Sequence, residues 1–196
     1  TNLQRRLNPD RPDQWSRKVH ADLLHRARAL GAEVVVFDIL FSPGDDPPAD
    51  QEFVAAMRAM PGKVVLGALL VERLDGNLFQ SVLEKPIPAF DAAARWGLVN
   101  FTPDPDGAIR RHYVNPDVAQ ASLAWRTAEV LGRAPRDPNR SRWMNYYGPR
   151  KILPAMPYDR FLEQPLGETN LFAGKTLFVG WNPAQPDADE YNTPYT

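Results

Sequence analysis

The sequence predicts an α/β fold of three layers, with a mainly parallel central sheet, helices on both faces and an inserted β-hairpin. Three observations predict it. "EVVVFDILF" (33–41), "KVVLGALLV" (63–71) and "GKTLFVGW" (174–181) are short apolar runs, too short for helices of their own, and read as strands covered on both faces. Amphipathic helical segments precede the first two. The 20 prolines cluster between the periodic segments rather than inside them, so they punctuate a fold and do not signal disorder.

Taken in order, residues 15–30 place Val19, Leu23, Ala27 and Leu30 on one helical stripe, with Gly31 as the C-terminal stop. The run from Glu33 is the first strand. A loop, "SPGDDPPAD", leads to a second helix over 50–60, with Asp50 as its N-cap and Phe53, Val54 and Met57 inward. The run from Lys63 closes a strand, helix, strand unit, the parallel arrangement. Asp75-Gly76 marks a hairpin turn, and a short helix is expected over 91–96. "GLVNF" and "AIRRHYV" read as two strands around the turn "TPDPDG". A helix over 122–131 follows, capped by Ser122 and stopped by Gly132, with Leu123, Ala124, Ala128 and Leu131 inward. "WMNYYG" reads as another strand, and the run from Gly174 as a third buried one, ending at Gly180.

A length of 196 residues with 43% hydrophobic content suits one globular unit, residues 1–196. The abrupt, polar start and the Pro-rich end read as a domain excised from a longer chain. Balance between 23 Lys+Arg and 24 Asp+Glu leaves no global field for nucleic acid or anionic lipid. Cysteine is absent, which excludes disulfides, thiolate metal sites and cysteine nucleophiles. No apolar run reaches the roughly 18 residues of a membrane-spanning helix. The sequence holds no G-x-S-x-G, P-loop or G-x-G-x-x-G motif, so nucleophile elbows and phosphate cradles lack their signatures.

Candidate site residues gather at the predicted carboxyl ends of strands, where open α/β sheets bind ligands. Asp38 interrupts the first strand, and Trp181 and Asn182 follow Gly180 at the end of the last. The segment "NFTPDPDGAIRRHY" (100–113) adds Asn100, Asp106, Arg110 and Arg111. Its Asp-Pro-Asp-Gly resembles an EF-hand fragment, but Tyr113 stands where the bidentate Glu is required. A catalytic pair would need its two protonation states pushed apart, and two aspartates on an exposed turn lack the burial to do that. Pro-Asp-Gly between strands reads first as a turn. Arg110 and Arg111 should then project to opposite faces, and the inward one should hold a carboxylate or an anion. His20, His25 and His112 lack metal-ligand spacing and read as surface or packing histidines.

In order, "WSRKVHADLLHRARALGAEVVVFDILFS", "KVVLGALL", "GLVNFTPDPDGAIRRH", "SLAWRTAEVL", "NYYG" and "GKTLFVGWNPAQPDADEYNTPY" resemble the type-two CHASE domain, over residues 15–195. The resemblance implies an extracytoplasmic sensory domain of a bacterial inner-membrane receptor. Transmembrane helices would flank it and connect it to a cytoplasmic adenylate or diguanylate cyclase, histidine kinase or Ser/Thr kinase. It implies an unidentified small-molecule or protein signal, no cofactor, no catalysis by the domain itself, and a homodimer among the expected assemblies. Two departures stand out. The family opens with a hydrophobic strand and an acidic loop where this chain has "TNLQRRLNPDRPDQW", so the first strand is expected to be missing or diverged. "GWNPAQPDADEY" is also longer and more polar than the family's version. Two other readings are a dimerisation module without a ligand, and a hydrolase using Asp38 with Asp104 or Asp106.

Overall fold

The structure is a computed structural model and describes residues 15–44, 46–76, 78–113, 120–137, 140–148, 152–163 and 171–180. Helix α1 (Arg17–Ala29) starts at Ser16, whose hydroxyl accepts from the Lys18 N–H, and it ends ahead of Gly31 at φ 74°. Strand β1 (Val34–Leu40) follows. Helix α2 (Pro47–Arg58) then begins three residues earlier than expected: Asp46, not Asp50, is its N-cap, accepting from the Ala49 N–H at 3.2 Å. The reason lies in Pro47 and Pro48. Proline presets the helical φ and lacks an N–H that the first turn would leave unpaired. Asp50 falls inside that turn, where burial raises its carboxyl above the ordinary value against the pull of Arg17.

Strand β2 (Val64–Asp75) runs well past its neighbours and turns at Gly76 into β3 (Leu78–Glu84), the inserted hairpin. The short helix falls at α3 (Pro88–Asp91), ahead of the expected 91–96, again with proline in its first turn. Residues 95–96 belong instead to β4 (Arg95–Leu98). Helix α4 (Leu123–Val130) is capped by Ser122 as expected. Its buried residues are Leu123, Trp125 and Thr127, whereas Ala124 is exposed and Ala128 and Leu131 are half-buried. Helix α5 (Tyr158–Glu163) and strand β5 (Thr176–Gly180) complete the described elements.

Strands β4, β2, β1 and β5 are parallel neighbours in that order, and β3 adds an antiparallel partner to the far half of β2. Alternation along β1 divides the interior. Val35 and Phe37 face a large cluster with Leu24 of α1 and Phe53 and Met57 of α2, while Val34 and Val36 meet Val65 and Leu123 on the other face. Helices therefore cover both faces of a mostly parallel sheet, the architecture the sequence predicts.

Two expected strands take a different form. Residues 108–113 and 141–146 make a small irregular ladder centred on an Arg111–Trp143 bridge, because each segment pairs with the other and not with the main sheet. Among the described residues β5 is the outermost strand on its side of the sheet, and it is not buried throughout: within it only Val179 is buried, and Phe178 is 68% exposed. Gly97 is needed where β4 passes α4, since a Cβ there would lie 2.6 Å from the Ser122 carbonyl oxygen. Residues 1–14, on which the missing or diverged first strand falls, lie outside the described residues.

Candidate functional site

The turn at 104–107 is built by its own residues. The Gly107 N–H donates to the Asp104 carbonyl at 2.8 Å, and the Asp104 N–H to the Ala108 carbonyl at 2.9 Å. Gly107 sits at φ 80°, the left-handed position that closes a three-residue loop. Asp106 Oδ1 accepts from the Ala108 N–H at 3.2 Å, locking the bend from inside. Arg110 then draws both aspartates together. Its Nη1 donates to Asp104 Oδ2 at 3.0 Å and to Asp106 Oδ1 at 2.7 Å, and its Nη2 to Asp106 Oδ2 at 2.7 Å.

This forked geometry sets the charges. The Arg110 guanidinium, with help from the Ala108 N–H, holds the Asp106 carboxyl down at about 2. Arg110 is pushed upward in turn, by Asp106 first and Asp104 second. Asp106 is thus an ionised, doubly engaged carboxylate at neutral pH. That engagement gives both carboxylates a structural part in holding the turn.

Of the two arginines Arg110 is the inward one and holds carboxylates, as expected for an arginine turned from solvent. Arg111 is exposed, and its guanidinium lies 4.7 Å from the centre of the Trp143 ring, itself 68% exposed. Asn100, just past β4, uses both ends of its amide on the backbone of β2. Its Oδ1 accepts from the Leu70 N–H at 2.9 Å and its Nδ2 donates to the Leu70 carbonyl at 2.8 Å. The side chain imitates a paired strand residue and extends the ladder by one step.

The rest of this lobe rests on α4. The His112 ring stacks on Trp125 at 5.9 Å, and the Arg142 guanidinium lies 5.3 Å from the same indole. The Arg142 N–H donates to His112 Nδ1 at 3.1 Å and holds the ring in its packing against α4. The Tyr146 hydroxyl donates to the Ile109 carbonyl, and the Met144 N–H to the Arg110 carbonyl at 2.8 Å. Trp125, Arg142 and Tyr146 are members of this lobe that sequence reasoning missed. The short "WMNYYG" run was the available signal for Tyr146, and its reach to residue 109 leaves no local trace.

Asp38 is exposed in β1, opposite Gly180 of β5, and alternation puts it on the α4 side of the sheet with Val34 and Val36. Trp181 and Asn182 lie outside the described residues. His20 is fully buried among Phe37, Phe41, Phe53 and Tyr158, whose hydroxyl lies 2.9 Å from its Nδ1. Burial pushes that Tyr158 hydroxyl well up. Among the described residues no group of three or more His, Asp or Glu side chains could hold a metal ion. No helix of the described residues is long and apolar enough to cross a membrane.

A mostly parallel sheet with helices on both faces defines an α/β domain. The chain belongs to the CHASE2 domain family, whose family model matches residues 2–196, essentially its whole length. CHASE2 is a sensory domain family of receptors. No curated protein and no solved structure matches the chain.

Proposed function

We propose that this domain is the signal-receiving part of a membrane receptor, placed outside the cytoplasm and joined through membrane-spanning helices to a cytoplasmic adenylate or diguanylate cyclase or a kinase. Membership in a sensory domain family over residues 2–196 carries this reading. The signal engages the α4 face at the carboxyl ends of the strands. Asp38 and Arg111 present charge to it, with Trp181 and Asn182 as further candidates, while Asn100, Asp106 and Arg110 hold the lobe in place.

What supports this placement is how the lobe is attached. The Asn100 amide pair fastens it to β2 and ring stacking on Trp125 fastens it to α4, so it is the part whose arrangement a ligand of modest differential affinity can bias. Arg111→Ala in the full-length receptor tests the site. We expect basal cyclase or kinase output to shift while the domain's melting temperature stays within about 1 °C of the parent, as befits an exposed side chain. Unchanged output would overturn the site. For the placement, an alkaline phosphatase fused after the domain should be active in intact bacteria, and an inactive fusion would reject it.

A further inference from the structure

The hairpin formed by β2 and β3 reaches beyond the helical layers. Leu74, Leu78 and Phe79 near its tip are 62%, 71% and 74% exposed. β3 pairs with β2 along its whole length, from Leu69↔Glu84 to Asp75↔Leu78. Its other edge has no partner among the described residues.

Which backbone groups lie on that outer edge follows from Asn100. Leu70 gives its N–H to Asn100, so the Leu70↔Leu83 pair does not exchange hydrogen bonds. In an antiparallel ladder bonded and non-bonded pairs alternate. Leu83, Ser81 and Phe79 therefore turn their N–H and C=O groups outward, while Leu78, Gln80, Val82 and Glu84 bond to β2. Natural edge strands are normally guarded by Lys, Pro, a bulge or extreme shortness. From Leu78 to Leu83 the sequence reads "LFQSVL", with no charge, no proline and no glycine. The one charge on this strand, Glu84, is engaged by Arg73 of β2.

We infer that β3 is the interface for a second copy of this chain, the two β3 strands pairing antiparallel about a two-fold axis at Ser81 to make one continuous sheet. The occupant follows from self-complementarity. Like strands across a two-fold axis put identical residues near one another, so the centre must be free of charge, and this one is. The register sets Ser81 against Ser81 and joins the outward backbone groups of Phe79 with those of Leu83 in the other copy. Phe79, Ser81 and Leu83 lie on one face, so each exposed Phe79 ring is covered by the opposite Leu83. Gln80 meets Val82 and Leu78 meets Glu84, so no pair sets like charges together. The β5 edge lacks such an argument, since it runs directly into residues outside the described set. This assembly is independent of any signal the domain receives.

The absence of cysteine makes a direct test available. Ser81→Cys in the 196-residue chain should form a covalent dimer under mild oxidation, because directly opposite residues of a bonded pair have Cα atoms ~5.5 Å apart, within reach of a disulfide. Gln80→Cys should not, since its twin would lie diagonally, beyond the roughly 7 Å limit for bridging. In sedimentation, Ser81→Lys and Ser81→Glu should each weaken self-association at least about fivefold, and an equal mixture of the two should restore it. Recovery in the mixture shows that neither variant has lost its fold. A monomeric wild-type chain at ~100 µM, or a dimer indifferent to both charges, would overturn the proposal.

Discussion

The two faces of the sheet are held by different forces. On the α1 and α2 face, Phe37, Phe41, Phe53 and Phe90 are fully buried and meet edge to face or tilted, with ring centres 5.1 to 6.0 Å apart. On the α4 face the apolar cluster is small, built on Val34, Val36, Val65 and Leu123. Beyond it the 100–113 and 141–146 segments are fastened by Asn100, Arg110, His112 and Tyr146. Burial is non-directional and tolerates small displacements, whereas forked ion pairs and amide pairs hold one geometry and release it together. The contrast teaches that packed rings dominate the first face and directional polar contacts the second.

Removing the aromatic centre should break the contrast most severely. Phe53→Ala deletes a ring that touches Phe37, Phe41, Phe90 and His20, and a loss of about 3–5 kcal/mol is expected in denaturant unfolding. A parent-like midpoint would show that this face contributes no packing energy.

On the other face, Asn100→Ala strips Leu70 of both amide partners and should cost about 1–3 kcal/mol. Asn100→Asp keeps the acceptor for the Leu70 N–H but sets a second oxygen against the Leu70 carbonyl, so it should recover little of the loss. An aspartate variant as stable as the parent would mean that the Nδ2 bond is dispensable.

The smallest effect belongs to the exposed ion cluster, and pH identifies it. The Asp106 carboxyl lies at about 2, below its ordinary 3.8, so its stabilising contribution is full above the ordinary value and is lost as pH falls through the folded one. The melting temperature of the parent should exceed that of Asp106→Asn at neutral pH, and the gap should close between about pH 4 and pH 2. A gap that stays constant across this range would assign the difference to the turn alone.

The limits of sequence reasoning follow the same division. The turn at 104–107 was legible because Pro, Asp and Gly act on their own neighbours. That one of Arg110 and Arg111 would turn inward was legible for a related reason, since alternation separates the two within one segment, but only the fold decided that it is Arg110. Asn100 was read as a ligand residue from its place at a strand end, yet its partner Leu70 lies thirty residues earlier, and nothing near Asn100 encodes that meeting. β5 was read as buried from its apolar run, but burial of a strand depends on what covers its faces, and that is not written in the run itself.

By itself, then, the sequence determined how the helix ends are closed, through side-chain caps at Ser16, Asp46 and Ser122, prolines in first turns and glycines at positive φ. Those preferences act over three or four residues and survive in any tertiary setting. Only the tertiary structure decided the strand order, the outermost position of β5 among the described strands, the amide pair of Asn100 with Leu70, and the stacking of His112 and Arg142 on Trp125. These depend on which segments the packed sheet brings together, and pairing across thirty or more residues follows from closure of the whole core rather than from any local pattern.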